Sequence, residues 1–199
     1  MILYEHPLHE RIRTFLRLEH LFLRLHQLVT RVDALDHHFA LATMFEIMDV
    51  AARADLKSDL LKDLDKQRHT LDSYRGNPAI AEAVLDKVIA ELDQCFADLN
   101  TQPGKAGQAL TENEWLMGIR SRISIPGGTC EFDLPSYYAW QHKTGVSRQA
   151  DLMQWSVTLT PLANAVHLLL KLLRDSGAPQ KVIANAGQAD SAPFGKTTL

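Results

Sequence analysis

Several absences narrow what this chain can be. It has two cysteines, Cys95 and Cys130, on separate predicted elements and without C-x-x-C spacing. That pattern excludes a disulfide scaffold and a cysteine-based zinc site, and the two thiols are expected to be reduced and at least partly buried. Neither charge sign dominates: 21 Lys and Arg stand against 24 Asp and Glu, a net charge of -3. This is not the basic excess of a general nucleic-acid binder, nor the acidity of a solvating tail. No apolar run reaches the ~18 residues of a membrane span. The start, Met1 to His6, has no basic region followed by an apolar core, so no signal peptide is read there and the expected compartment is the cytoplasm. There is no Gly-rich phosphate loop, no H-E-x-x-H, no G-x-S-x-G and no zinc spacing. The expectation is no enzyme, no cofactor and no metal.

What is present is helical periodicity carried by a 46% hydrophobic composition over 199 residues, enough for a substantial core. A first helix is predicted over 8–32, with Leu18, Leu21, Phe22, Leu25, Leu28, Val29 and Val32 in one apolar sector. Its opposite side carries Arg13, Arg17, His20, Arg24, Gln27 and Arg31 at alternating spacings of four and three, with no acid among them. This stripe reads as a solvated face, or as an anion-accepting surface, because aligned arginines repel one another unless something negative is near. Further helices are predicted over 37–52, 56–74 and 79–99, the third stopped by Gly76-Asn77-Pro78. His37-His38 lacks the i, i+4 geometry of a helical metal pair. Residues 101–107 form a loop and candidate hinge. Thr111 and Glu114 fit a capping box for a helix to about Arg122. An aromatic helix over 136–142, one from Ser147 to Thr158, and a strongly apolar one over 162–174 complete the pattern.

Residues 119–141 break it. Ile123, Ile125, Cys130, Phe132 and Leu134 alternate with polar residues, as a strand does. Pro126-Gly127-Gly128 forces a turn between the two runs. A β-hairpin or bent strand pair is therefore expected over 123–134, with Arg120 and Arg122 at its entrance. Glu131 and Asp133 would serve those arginines as structural ion partners. Tyr137, Tyr138 and Trp140 read as core or as a base-stacking platform. The fold class is thus mainly α: a helical bundle-like domain over 6–122 and 136–177, with a small antiparallel β element over 1–5, 123–135 and 180–186. Residues 187–199 are expected to be disordered.

Three stretches taken together resemble a known family. They are Tyr4-Glu-His-Pro-Leu-x-Glu-Arg-Ile-Arg-Thr-Phe-Leu-Arg-Leu-Glu-His, Glu114-Trp-Leu-Met-Gly-Ile-Arg-Ser-Arg, and Ser124-Ile-Pro-Gly-Gly-Thr-Cys-Glu-Phe-Asp-Leu-Pro-Ser-Tyr-Tyr-Ala-Trp. In this order and spacing they resemble the ZapD family of bacterial cell-division proteins, over about Ile2 to Ala186. The resemblance implies a cytoplasmic homodimer at the mid-cell division ring. It implies binding to the acidic C-terminal tail of FtsZ, the tubulin-like division GTPase, and crosslinking of FtsZ filaments into bundles. Members of the family continue past the end of this chain, so the β element is expected to be incomplete. Arginines beside apolar surface suit an acidic, partly apolar peptide, and the candidate partner-binding residues are Arg13, Arg17, Arg24, Arg120 and Arg122. The rival reading is a helical nucleic-acid-binding or regulatory module using the same stripe on phosphates.

Overall fold

A computed structural model of the protein describes residues 5–53, 55–105 and 107–176. The chain folds as helical hairpins closed by a long C-terminal helix: α1 (Glu10–Val29), α2 (Ala34–Ala51), α3 (Leu56–Asp72), α4 (Glu82–Thr101), α5 (Gln108–Thr111), α6 (Glu114–Ile123), α7 (Pro135–Gln141), α8 (Gly145–Ser156), a 3-10 turn (Val157–Leu159) and α9 (Thr160–Asp175). α1 packs on α2 and α3 on α4, and α9 lies against α1, α3 and α4. The core follows the predicted periodicity. Phe15, Leu18, Leu21, Leu25 and Val29 of α1 are buried, as are Leu162, Val166, Leu168, Leu169 and Leu170 of α9. α2 is apolar nearly all round, and Ala40, Leu41, Met44, Phe45, Ile47 and Met48 are buried within it.

Local chemistry sets the helix ends. Asp33 caps α2 by accepting from the Leu35 amide at 2.7 Å, and Thr144 caps α8 by accepting from Ser147 N at 3.2 Å. The expected capping box at Thr111 is displaced by two residues. Asn113 caps α6 through Leu116 N at 3.0 Å, while the Thr111 hydroxyl turns back to Gln108 O and closes α5. The sequence of α5, only four residues long, carries no periodicity to announce it. The run Gly145–Asp175 is long and apolar enough, by length and composition, to cross a membrane. A core helix passes the same test, and Leu152, Leu159, Leu162, Leu169 and Leu170 of this run are buried against the other helices. Cys95 and Cys130 are free thiols, each half-buried, and burial pushes the Cys95 thiol up.

The expected β element is not formed; no strand occurs among the described residues. Ile123 ends α6, and residues 124–134 coil through consecutive tight turns. Ile125 N donates to Arg122 O, Gly128 N to Ile125 O, Cys130 N to Gly127 O and Leu134 N to Cys130 O, at 2.9–3.2 Å. Each of these bonds spans three or four residues, so none forms a cross-strand ladder. Alternation over such short runs is satisfied equally by turns that tuck Ile123 and Leu134 against the core and leave Ile125 and Phe132 outside. Two runs without a third strand also make a marginal sheet. The other proposed β segments, at 1–5 and 180–186, and the tail at 187–199 lie outside the described residues, except for Glu5, which is not in a strand.

The glycines are nonetheless required. Gly127 sits at φ +69°, and a Cβ on Gly128 would lie 2.6 Å from Arg122 O and 2.8 Å from Ile125 Cβ. Backbone cannot yield there as a flexible side-chain tip would. Gly128→Val is expected to destabilise the protein by about 1–3 kcal/mol, and Gly127→Ala by about 1 kcal/mol. Urea unfolding with an unchanged midpoint for Gly128→Val would disprove the close approach.

Candidate partner-binding cleft

The arginine stripe faces a cleft of about 720 Å³ between the N-terminal segment, α1 and α2. Arg13, Arg17 and Arg24 line it beside the apolar groups of Leu16, Leu21 and Val50. Their spacing on α1 places them on one side, and the hairpin turn at 30–33 brings α2 alongside. One wall is the segment 5–7. It is anchored by Arg174 of α9, which donates to Glu5 at 2.8 and 2.9 Å and to Glu19 at 2.7 and 2.8 Å. The Arg174 guanidinium holds the Glu5 carboxyl below its usual range.

No acid falls between the basic residues of the stripe, but Glu10 in the first turn of α1 and acids brought in by α2 supply partners. Arg13 and Arg17 lie 3.7 and 3.5 Å from Glu10. Arg24 meets Glu46 of α2 at 2.6 Å and donates to the Thr43 hydroxyl at 2.9 Å. Arg120 pairs with Asp49, which also lines the cleft. Four of the five candidate arginines are thereby gathered at or beside one cleft. Arg122 is not among its lining residues; it pairs with Asp133 at 3.4 Å, as expected of a structural partner. Glu46, Asp49, His6 and His20 belong to the cleft. Only His20 lay in the α1 stripe. Nothing local in the sequence marks Glu46 and Asp49, because α2 presents them only after it docks.

These ion pairs leave the arginines usable. The Arg13 and Arg17 side chains are 44% and 55% exposed. Exposed pairs of this kind contribute only ~0–1 kcal/mol, so an incoming carboxylate can exchange for Glu10 at small cost. Arg24 is held more tightly and serves better as a fixed charge at the inner end.

At the α1–α2 turn lies a buried polar knot. Arg148 of α8 is 5% exposed. It donates from Nε to His37 Nδ1 at 2.9 Å, and to the carbonyls of Gln141, Lys143 and Val32. His37 Nδ1 must therefore accept, so its Nε2–H donates to Arg31 O at 2.7 Å. Next to it, His38 Nδ1 contacts the Tyr137 hydroxyl at 2.7 Å. Tyr137 is itself fully buried and stacks on Trp140, with Trp115 and Trp155 alongside. Tyr137 and Trp140 are thus core, and only Tyr138 of that trio is exposed.

Burial lowers the proton affinity of both His37 and His38, and the nearby Arg148 charge adds to it for His37. Asp33 and Asp36 and the bond to Arg31 O oppose the shift at His37 without reversing it. Above the ordinary histidine pKa of about 6.5 both rings are neutral whether the chain is folded or unfolded. Below it the unfolded chain takes up protons that the folded one refuses, so stability falls as pH drops from about 6.5 towards the folded pKa values. The melting temperature is expected to decline between pH 7 and pH 5. His37→Asn, which keeps an acceptor for Arg148, should flatten part of that decline; an unaltered slope would remove His37 from the account.

Comparison with known proteins agrees with the resemblance carried by the motifs. The family model "ZapD: Cell division protein" matches residues 16–197. A protein named Cell division protein ZapD from Ralstonia nicotianae is 59% identical over 187 residues, covering 94% of this chain and 74% of that protein. The protein of the same name from Ralstonia pickettii is 57% identical with the same coverage. That from Cupriavidus pinatubonensis is 53% identical over 197 residues, 99% of this chain and 78% of its own length.

Proposed function

The chain belongs to the ZapD family of cell division proteins, and from that premise we propose that it binds the acidic C-terminal tail of FtsZ in the cleft along α1 and bundles FtsZ filaments at the division ring. The observation that carries the reading is the row Arg13, Arg17 and Arg24 set beside Leu16, Leu21 and Val50 in one open cleft. A short peptide with carboxylates and apolar side chains meets both kinds of surface there. Its acids replace Glu10 at Arg13 and Arg17, and its apolar residues cover Leu16 and Val50. Arg120, turned to Asp49, adds a fourth cation at the rim.

Bundling needs two such clefts per particle. A homodimer provides them without a new kind of contact. The apolar residues of α9 are occupied by the core. Exposed apolar groups remain on and around α1 and α8, at Leu23, Val32, Val146, Met153 and Val157, and these are the surface we assign to the second copy. The role is that of a non-enzymatic crosslinker in the cytoplasm.

Sedimentation with FtsZ filaments tests the reading. The chain is expected to co-pellet with filaments of intact FtsZ and to increase their light scattering, and to do neither when the FtsZ tail is deleted. Raising the salt should weaken the effect. Equal co-pelleting without the tail would refute the peptide cleft. Tail-independent binding to DNA instead would favour the phosphate-binding alternative.

A further inference from the structure

The cations of the α1 cleft are paired with carboxylates, whereas a second cleft holds cations that are not. It has a volume of about 590 Å³ and lies where the end of α2, the first turns of α3, α4 and the loop before α5 meet. Arg53, Lys57, Lys62 and Lys105 line it, and none of the four is paired with a carboxylate among the described residues. Its one acid, Asp65, is engaged by Arg68 at 2.9 Å and lies 3.5 Å from His69. Three of the cations are held by hydrogen bonds: Arg53 donates to the Thr14 hydroxyl at 3.3 Å. Lys57 Nζ donates to the carbonyls of Gln102 and Gly104, and Lys105 Nζ donates to Ala52 O at 2.8 Å. Each ammonium has three donors, so both keep at least one for a ligand. Between the cations the floor is apolar, made by Ala51, Leu61 and Phe96.

We propose that this second cleft binds a phosphate-bearing small molecule with a flat apolar body, of the nucleoside polyphosphate class. Four like charges gathered from three segments repel one another until a compact, multiply charged anion joins them. Three of the four are lysines. An ammonium is a point charge that meets a phosphate oxygen from any direction, whereas a carboxylate peptide is best held by planar arginine forks. That difference separates this cleft from the one along α1. The volume falls within the ~300–1,000 Å³ of small-molecule sites, and Phe96 and Leu61 offer the apolar surface on which a base can lie. The proposal does not depend on FtsZ binding.

Calorimetric titration of the protein alone with ATP, pyrophosphate and adenosine tests it. ATP is expected to bind with a dissociation constant below about 1 mM, a value at which weak but specific sites operate. Pyrophosphate should bind at least about tenfold more weakly, and adenosine not measurably. Lys62→Glu and Arg53→Glu, both at exposed positions, should each weaken ATP at least about tenfold; Lys62→Glu should do so without moving the melting temperature, while Arg53→Glu also gives up the bond to the Thr14 hydroxyl. Arg17→Glu should leave ATP binding unchanged. If either cleft variant fails to fold, Lys62→Gln makes the same comparison, with a smaller expected loss. The proposal is overturned by the absence of ATP binding at millimolar concentration, by equal affinity for ATP and pyrophosphate, or by full retention in Lys62→Glu. It is equally overturned if a synthetic acidic FtsZ-tail peptide competes with ATP.

Discussion

Replacing Arg148 by Met is expected to cost about 3 kcal/mol of stability or more. Met fills much of the same aliphatic volume but carries none of the donors. His37 Nδ1 and the carbonyls of Gln141, Lys143 and Val32 would each lose a partner. A buried acceptor left unmet costs about 1–3 kcal/mol, and bonds from a charged donor are at the strong end. Removing a desolvated cation returns part of that loss, which is why the expected total lies well below the sum of the four. The knot ties the α1–α2 turn to α2 and to the start of α8, so its loss should loosen the hairpin that shapes the α1 cleft. For a domain of this size about 3 kcal/mol corresponds to roughly 10 °C in melting temperature. Arg148→Lys should fall between, since one ammonium cannot span acceptors on both sides. Chemical denaturation decides the matter; a loss under about 1 kcal/mol for Arg148→Met would show that water replaces the guanidinium.

The second large effect is on binding, not on stability. Arg13→Glu with Arg17→Glu should leave the melting temperature within a few degrees of the parent, because both side chains are substantially exposed and their pairs with Glu10 contribute little. FtsZ-tail binding should fall much further. A partly desolvated arginine–carboxylate contact is worth about 2 kcal/mol, or roughly thirtyfold in affinity, and reversal adds repulsion. Peptide titration should register the loss, and filament bundling should vanish. Arg122→Glu, tested alongside, reports whether the binding surface extends to the turns at 124–134. Normal bundling by the double variant would make the α1 stripe a solvated face after all. A large drop in melting temperature would mean that Arg13 and Arg17 hold the fold.

The amino-acid sequence by itself determined the long helices and most of the faces they bury. The apolar sectors of α1 and α9 are local patterns, written within a few turns of chain. It also carried the family, through three motifs whose order and spacing survive without reference to any contact. Local pattern failed where it was short. Alternation at Ile123–Ile125 and Cys130–Leu134 reads as strand, yet a strand exists only with a partner to bond, and the chain there folds back on itself in turns instead. Tertiary structure alone decided the long-range partners of the charges. Glu46 of α2 reaches Arg24 of α1, and Asp49 of α2 reaches Arg120 of α6. Arg148 finds His37, 111 positions away. The unpaired cations of the second cleft come from α2's end, α3 and the loop at 102–105. A charge is visible in a sequence, but its field is set by whatever packing brings within a few ångströms, and those neighbours are tens of residues distant along the chain.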